Sequence, residues 1–182
     1  VLLPLWNSYS FLVTYARVDH WRPAPGKATC PVKPAHVLDR WILSRLSSTT
    51  ADLRSAMDAY DLQKGATRFT GFIEDLTNWY IRRSRRRFWK SSNDADKEEA
   101  YQTLYHVLLT FCKLACPFIP FITENIYRNL RSDEMPESVH LCDYPEVMEE
   151  TRDEALNERM ARTMRAVSLG RYLRSQTSLK IR

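Results

Sequence analysis

Apolar residues recur along this chain at three- and four-residue intervals, the spacing that brings side chains to one face of an α-helix. Leu5, Tyr9, Leu12, Val13 and Ala16 form the first stripe, which ends before a proline-rich connector, WRPAPGKATCPVKP, at 21–34. A second stripe runs through Leu38, Trp41, Ile42, Leu46, Leu53, Met57 and Tyr60. Asp61 has the side chain of an N-cap and opens a third helix, with Ala66, Phe69, Phe72, Ile73, Leu76 and Tyr80 on its apolar side. The polar run SSNDAD at 91–96 predicts a loop and a cap. Beyond it Tyr101, Leu104, Tyr105, Leu108, Phe111, Cys112 and Ala115 make a fourth stripe, which the CPFIPF segment breaks at Pro117. Pro120 then suits the first turn of a short fifth helix, where its missing N–H costs nothing. Residues 132–148 hold no sustained period and read as an irregular crossing segment, with SVHLCDYP extended at most. A sixth helix is predicted from about Asp153 to Ser175. The fold class is all-α, an antiparallel bundle of about six helices in one domain over 1–182.

Two of these stripes end in arginine. In NWYIRRSRRRFWK (78–90), five arginines and a lysine stand beside four aromatic residues with no carboxylate among them. At 100° per residue, the arc through Phe69, Phe72, Ile73, Leu76, Trp79 and Tyr80 continues onto Arg83 and Arg87, while Arg82, Arg85 and Arg86 carry the charge round the helix. The sixth helix repeats the pattern: Leu156, Met160, Met164 and Val167 lead to Arg171 and Arg174, with Arg159, Arg162 and Arg165 on a separate ridge. A buried guanidinium without an anionic partner is prohibitively costly. Either the arginines are solvated or paired within the bundle, with Asp19, Asp58, Asp61, Glu74 and Asp75 available, or they face an external polyanion. The second alternative makes Arg82, Arg83, Arg85, Arg86, Arg87 and Lys90 phosphate ligands, with Arg171 and Arg174 as a second patch. Trp89 would then stack on an unpaired base, and Phe88 and Trp89 could equally pack back onto the bundle.

Composition narrows the remaining classes. The hydrophobic fraction is 44%, the formal net charge +5 and the pI about 9.1. No run of about 18 apolar residues exists, so no membrane span is predicted. VLLPLWNSYSFLV at the N-terminus lacks the basic leader and cleavage pattern of a signal peptide. Cys30, Cys112, Cys116 and Cys142 form no C-x-x-C pair, and His106 and His140 are not spaced to complete a zinc site. Four reduced thiols and a cytoplasmic protein are expected. Phosphate-loop, dinucleotide, nucleophile-elbow and zinc-protease motifs are missing, so no catalytic, cofactor or metal residue is assigned. Glu98 and Glu99 read as helix-start charge.

Several stretches, in this order, resemble the anticodon-binding region of class I aminoacyl-tRNA synthetases, and the isoleucyl enzymes in particular. They are PLWNSYSFLVTYA (4–16), LDRWILSRL (38–46), DLTNWYIRRSRRRFW (75–89), AYQTLYHVLLTFCKLACPFIPFITENIYRNL (100–130) and SVHLCDYP (138–145). CPFIPFITENIY is a pattern shared by the isoleucyl, valyl and leucyl enzymes, whereas NWYIRRSRRRFW is most similar to eukaryotic-type isoleucyl enzymes, which some bacteria also carry. The resemblance implies a helical bundle that contacts the anticodon arm of isoleucine tRNA and packs on a catalytic half. It implies a whole enzyme that charges tRNA with isoleucine using ATP and Mg²⁺. The HIGH and KMSKS signatures of that chemistry are absent here, so this piece is expected to be cut at both ends and inactive alone. The closing residues, 177–182, resemble the start of a strand leading into a further C-terminal region. The equivalent domain of a valyl or leucyl enzyme, or an interaction bundle docking on a catalytic domain, is the alternative.

Overall fold

The computed structural model describes residues 1–23, 34–89 and 94–177, and no strand occurs among them. The interior of the proline-rich connector, Cys30, Lys90 with the start of the 91–96 loop, and most of the closing 177–182 stretch lie outside the described residues. The chain divides into two compact units, Val1–Arg152 and Asp153–Arg182. The first holds α1 (Leu2–Val18), α2 (Val37–Asp58), α3 (Leu62–Glu74), a π-helical segment (Asp75–Ile81), α4 (Arg82–Trp89), α5 (Ala95–Ala115) and α6 (Pro120–Leu130). Short 3₁₀ turns follow at Val139–Leu141 and Glu149–Thr151. The second unit is built on α7 (Glu154–Thr177).

Several helices start where the sequence provides a local signal. Asp61 accepts from the Lys64 N–H, Asp94 accepts from the Lys97 N–H, and Pro120 opens α6. His36 caps α2 by accepting from the Leu38 N–H, a role no sequence pattern announced. Glu98 and Glu99 do more than complement the start of α5. Glu98 accepts from the Trp21 indole N–H (2.9 Å), and Glu99 accepts from the N–H groups of Ala35 (2.8 Å) and His36 (3.3 Å). Together they tie both ends of the proline-rich connector to one helical turn.

α2 and α5 form the centre. Trp41, Ile42, Leu43, Leu46 and Leu53 are buried on α2, and Leu104, Leu108, Phe111, Cys112 and Leu114 on α5. Each fully buried side chain of this size stabilises the fold by about 1.5–3 kcal/mol before the entropic cost of ordering it. α2 is buried on more sides than a single stripe predicts, because its small hydroxyls fit a close-packed interior. Thr50, for example, returns its hydroxyl to the Leu46 carbonyl (2.9 Å). The crossing segment is held by side chains rather than by a ladder. Glu124 accepts from the Ser138 hydroxyl and the Val139 N–H, Arg54 donates to the Pro145 carbonyl, and Ser47 to that of Met148.

Three positions depart from the predicted stripes. Tyr60 ends α2 in the left-handed region (φ 56°), which swings its ring into solvent. Ala66 is exposed, and Gly65 instead faces inward, where an added Cβ would lie 3.2 Å from the Phe118 ring. Trp79 is only half-buried. The last departure has a backbone cause: the π-helical segment adds one residue to the turn. Everything after it is rotated, so the buried arc passes through Tyr80, Ile81, Ser84, Arg87 and Phe88 rather than Arg83.

α7 keeps its predicted period. Leu156 is buried, Met160, Met164 and Val167 are half-buried, and Arg159, Arg162 and Arg165 are exposed.

Candidate nucleic-acid interface

The five arginines of α4 have two different fates. Arg87 is buried and forks onto Asp39 of α2, with both guanidinium nitrogens donating at 2.7 Å. Its Nη2 also reaches the Asp96 carbonyl (2.9 Å), and its Nε lies 2.8 Å from Asp96 Oδ1 as an ion pair rather than an aligned hydrogen bond. Tyr80 donates to Asp39 Oδ1, which also accepts from Arg87 Nη1, at 2.7 Å. Burial disfavours the Arg87 cation, but its bonds to Asp39 outweigh this and raise its pKa above the ordinary arginine value. Burial, then the Asp39 charge, pushes the Tyr80 phenol well above its ordinary range. Arg87 is therefore corrected from phosphate ligand to internal strut, joining α2, α4 and α5.

The other four arginines point away from the core. Arg82, Arg83, Arg85 and Arg86 are exposed, and none has a carboxylate partner among the described residues. Arg82, Arg85, Arg86 and Trp89 fall at i, i+3, i+4 and i+7, so they share one face of α4. Arg83 stands beside that face with its guanidinium carbon 5.2 Å from the centroid of the Trp79 ring, i−4 from it.

Aromatic packing fixes the orientation of this helix. Phe88, turned into the bundle, is buried edge-on against Phe11 (5.0 Å, 78°) and Tyr101 (5.0 Å, 87°). Its neighbour Trp89 is 56% exposed, and its indole N–H donates to the Tyr15 hydroxyl of α1. The two aromatics thus divide the predicted roles: Phe88 packs, and Trp89 presents a ring to solvent. Tyr101 stacks on Trp21 (5.1 Å, 15°) and donates to Asp19, which Lys97 also meets at 2.7 Å.

Asp39 and Tyr15 were not among the candidate residues, and the partners considered for the arginines prove to be otherwise engaged or placed. Asp75 pairs with Arg45 (2.9 Å) and Asp19 with Lys97. The signal for Asp39 was its place in the first turn of an apolar helix, between Leu38 and Trp41. Arg171 and Arg174 lie on α7, in the second unit, with Arg171 exposed and Arg174 half-buried. Lys90 lies outside the described residues. Among the described residues, no group of three or more His, Cys, Asp and Glu side chains converges in a way that could hold a metal ion.

An exposed stripe of guanidinium groups without carboxylate partners among the described residues, ending in a fixed aromatic ring, can do two things: neutralise phosphates and stack on a base. The sequence matches the family described as "Anticodon-binding domain of tRNA ligase" over residues 39–182. It is 47% identical over 182 residues to "Isoleucine--tRNA ligase" of Protochlamydia amoebophila (strain UWE25), and 48% identical over 182 residues to that of Chlamydia trachomatis serovar L2b. It is 47% identical over 192 residues to that of Treponema denticola. All of this chain is covered in each case, and it spans 17% of the length of each of these relatives. The chain belongs to the anticodon-binding domain family of tRNA ligases.

Proposed function

We propose that this chain is the part of an isoleucine–tRNA ligase that grips the anticodon arm of its tRNA, with the outer face of α4 as the contact. The observation that carries the reading is the face shared by Arg82, Arg85, Arg86 and Trp89, which lacks carboxylate partners among the described residues. Guanidinium forks match phosphate oxygens bidentately, and an indole ring offers a stacking plane to a base that has left its own stack. Arg83, on its Trp79 plate, extends the basic surface of α4; Lys90, and Arg171 and Arg174 of α7, are proposed as further phosphate ligands from the sequence alone. The whole enzyme would join isoleucine to tRNA in the cytoplasm with ATP and Mg²⁺, through residues outside this chain, and the chain alone would not aminoacylate.

The test is binding of the chain to isoleucine tRNA, to the same tRNA with a changed anticodon, and to the separately expressed catalytic portion of the enzyme. Charge reversal at Arg82 and Arg85 is expected to weaken tRNA binding and leave binding to the catalytic portion unchanged. The opposite pattern would assign the stripe to interdomain docking, and equal affinity for both tRNAs would remove base reading.

A further inference from the structure

We propose that Tyr15 of α1 is a positioning residue that holds the Trp89 ring ready for an unpaired RNA base, a role that rests on the reading of α4 as the RNA-facing helix. Tryptophan has one polar atom, an N–H that can only donate. In Trp89 that donor is spent on the Tyr15 hydroxyl, while 56% of the residue stays in solvent. An exposed indole with no such bond would move among rotamers, and a ligand would have to order it on binding. Here the ordering is already done.

The hydroxyl is itself held in place. Phe11 and Tyr15 occur one turn apart on α1, with ring centroids at 4.8 Å, and both contact Phe88, at 5.0 and 6.5 Å. Phe88 is seated against Tyr101, so Tyr15 is fixed by the aromatic cluster that joins α1, α4 and α5. The anchored ring closes the same face that carries Arg82, Arg85 and Arg86. Phosphate neutralisation and base stacking can then act on one strand, the first tolerant of small misplacement and the second dependent on the plane of the ring. Tyr15 contributes to the second alone.

The proposal is tested with Tyr15→Phe, which removes one oxygen and keeps the ring. The ligands are the anticodon stem-loop of isoleucine tRNA and a series in which each loop nucleotide in turn is abasic. For the unsubstituted chain, the abasic change at one loop position should cost about fivefold or more in affinity, the contribution of a stacked base. Trp89→Ala should abolish that difference. Tyr15→Phe should cut it by at least about half on the same logarithmic scale. Tyr15→Phe should also bind the abasic RNA as the unsubstituted chain does, with an unchanged melting temperature. The double variant should lose no more than Trp89→Ala alone, since the two side chains act as one unit. Full discrimination in Tyr15→Phe, with loss in Trp89→Ala, overturns the role of Tyr15 and leaves the RNA reading standing. Uniform weakening for all RNAs in Tyr15→Phe makes Tyr15 a merely structural residue. Full discrimination in Trp89→Ala, or no binding of any stem-loop, overturns the reading of this face and the proposal with it.

Discussion

Arg86 and Arg87 are neighbours with the same chemistry and opposite surroundings, and their substitutions should separate accordingly. Replacing Arg87 with Met removes both bonds to Asp39 and leaves a buried carboxylate bonded, among the described residues, by Tyr80. Breaking a buried pair on one side costs about 3–5 kcal/mol, a loss readable in urea unfolding. Arg86→Ala, at an exposed position, should change stability by less than about 0.5 kcal/mol. Asp19 gives the corresponding prediction for acid. Burial works against its charged form, but the Lys97 and Tyr101 hydrogen bonds and the Lys97 charge hold its pKa below the ordinary value of 3.8. Because the folded value lies below the unfolded one, this stabilisation is fully present above about pH 4 and disappears as pH falls through the folded value. Asp19→Asn should lower stability at pH 6 and make the decline between pH 4 and 2 shallower, measured as unfolding free energy against pH.

The helices were legible from the sequence where their signals are local. Asp61, Asp94 and Pro120 mark starts by chemistry that acts within one turn, and the stripes on α5 and α7 follow an undisturbed period. The candidate site was legible only up to the π-helical segment. A uniform 100° per residue sends the core arc onto Arg83, whereas the extra residue in 75–81 turns Arg83 out and brings Ser84 and Phe88 in. Asp39 was missed for another reason: its place in an apolar first turn hints at a buried charge, but its partner is supplied by a contact 48 residues away. The backbone account predicts an asymmetry between deletions. Removing the exposed Asn78 from the π-helical segment lets it relax to a plain α-helix and keeps the inward direction of Ser84 and Phe88. Removing Ser84 from α4 rotates the following residues by about 100° and takes Arg87 off Asp39. The Asn78 deletion should fold cooperatively, while the Ser84 deletion should lose at least the roughly 3–5 kcal/mol of the broken pair, by thermal or urea unfolding.

On the scale of the whole molecule, α4 concentrates positive charge on one exposed face. The formal net charge is +5, and α4 alone carries five arginines without a carboxylate. Arg87 is neutralised internally, and the other four have no carboxylate partner among the described residues. Each phosphate neutralised on a single strand contributes a slope of about −0.7 to log K against log salt, because condensed counterions are released. Four contacts therefore predict a slope of about −3, or roughly a fiftyfold loss of affinity between 50 and 200 mM salt. Replacing Arg82, Arg85 and Arg86 together with Ala should bring the slope to about −1, whereas a stability-matched core variant should leave it unchanged. Fluorescence anisotropy with a labelled anticodon stem-loop across a salt series measures both slopes. A triple variant with the original slope would place the phosphate contacts elsewhere on the molecule. A weakened constant with an unchanged slope would mean that the arginines act through folding rather than through charge.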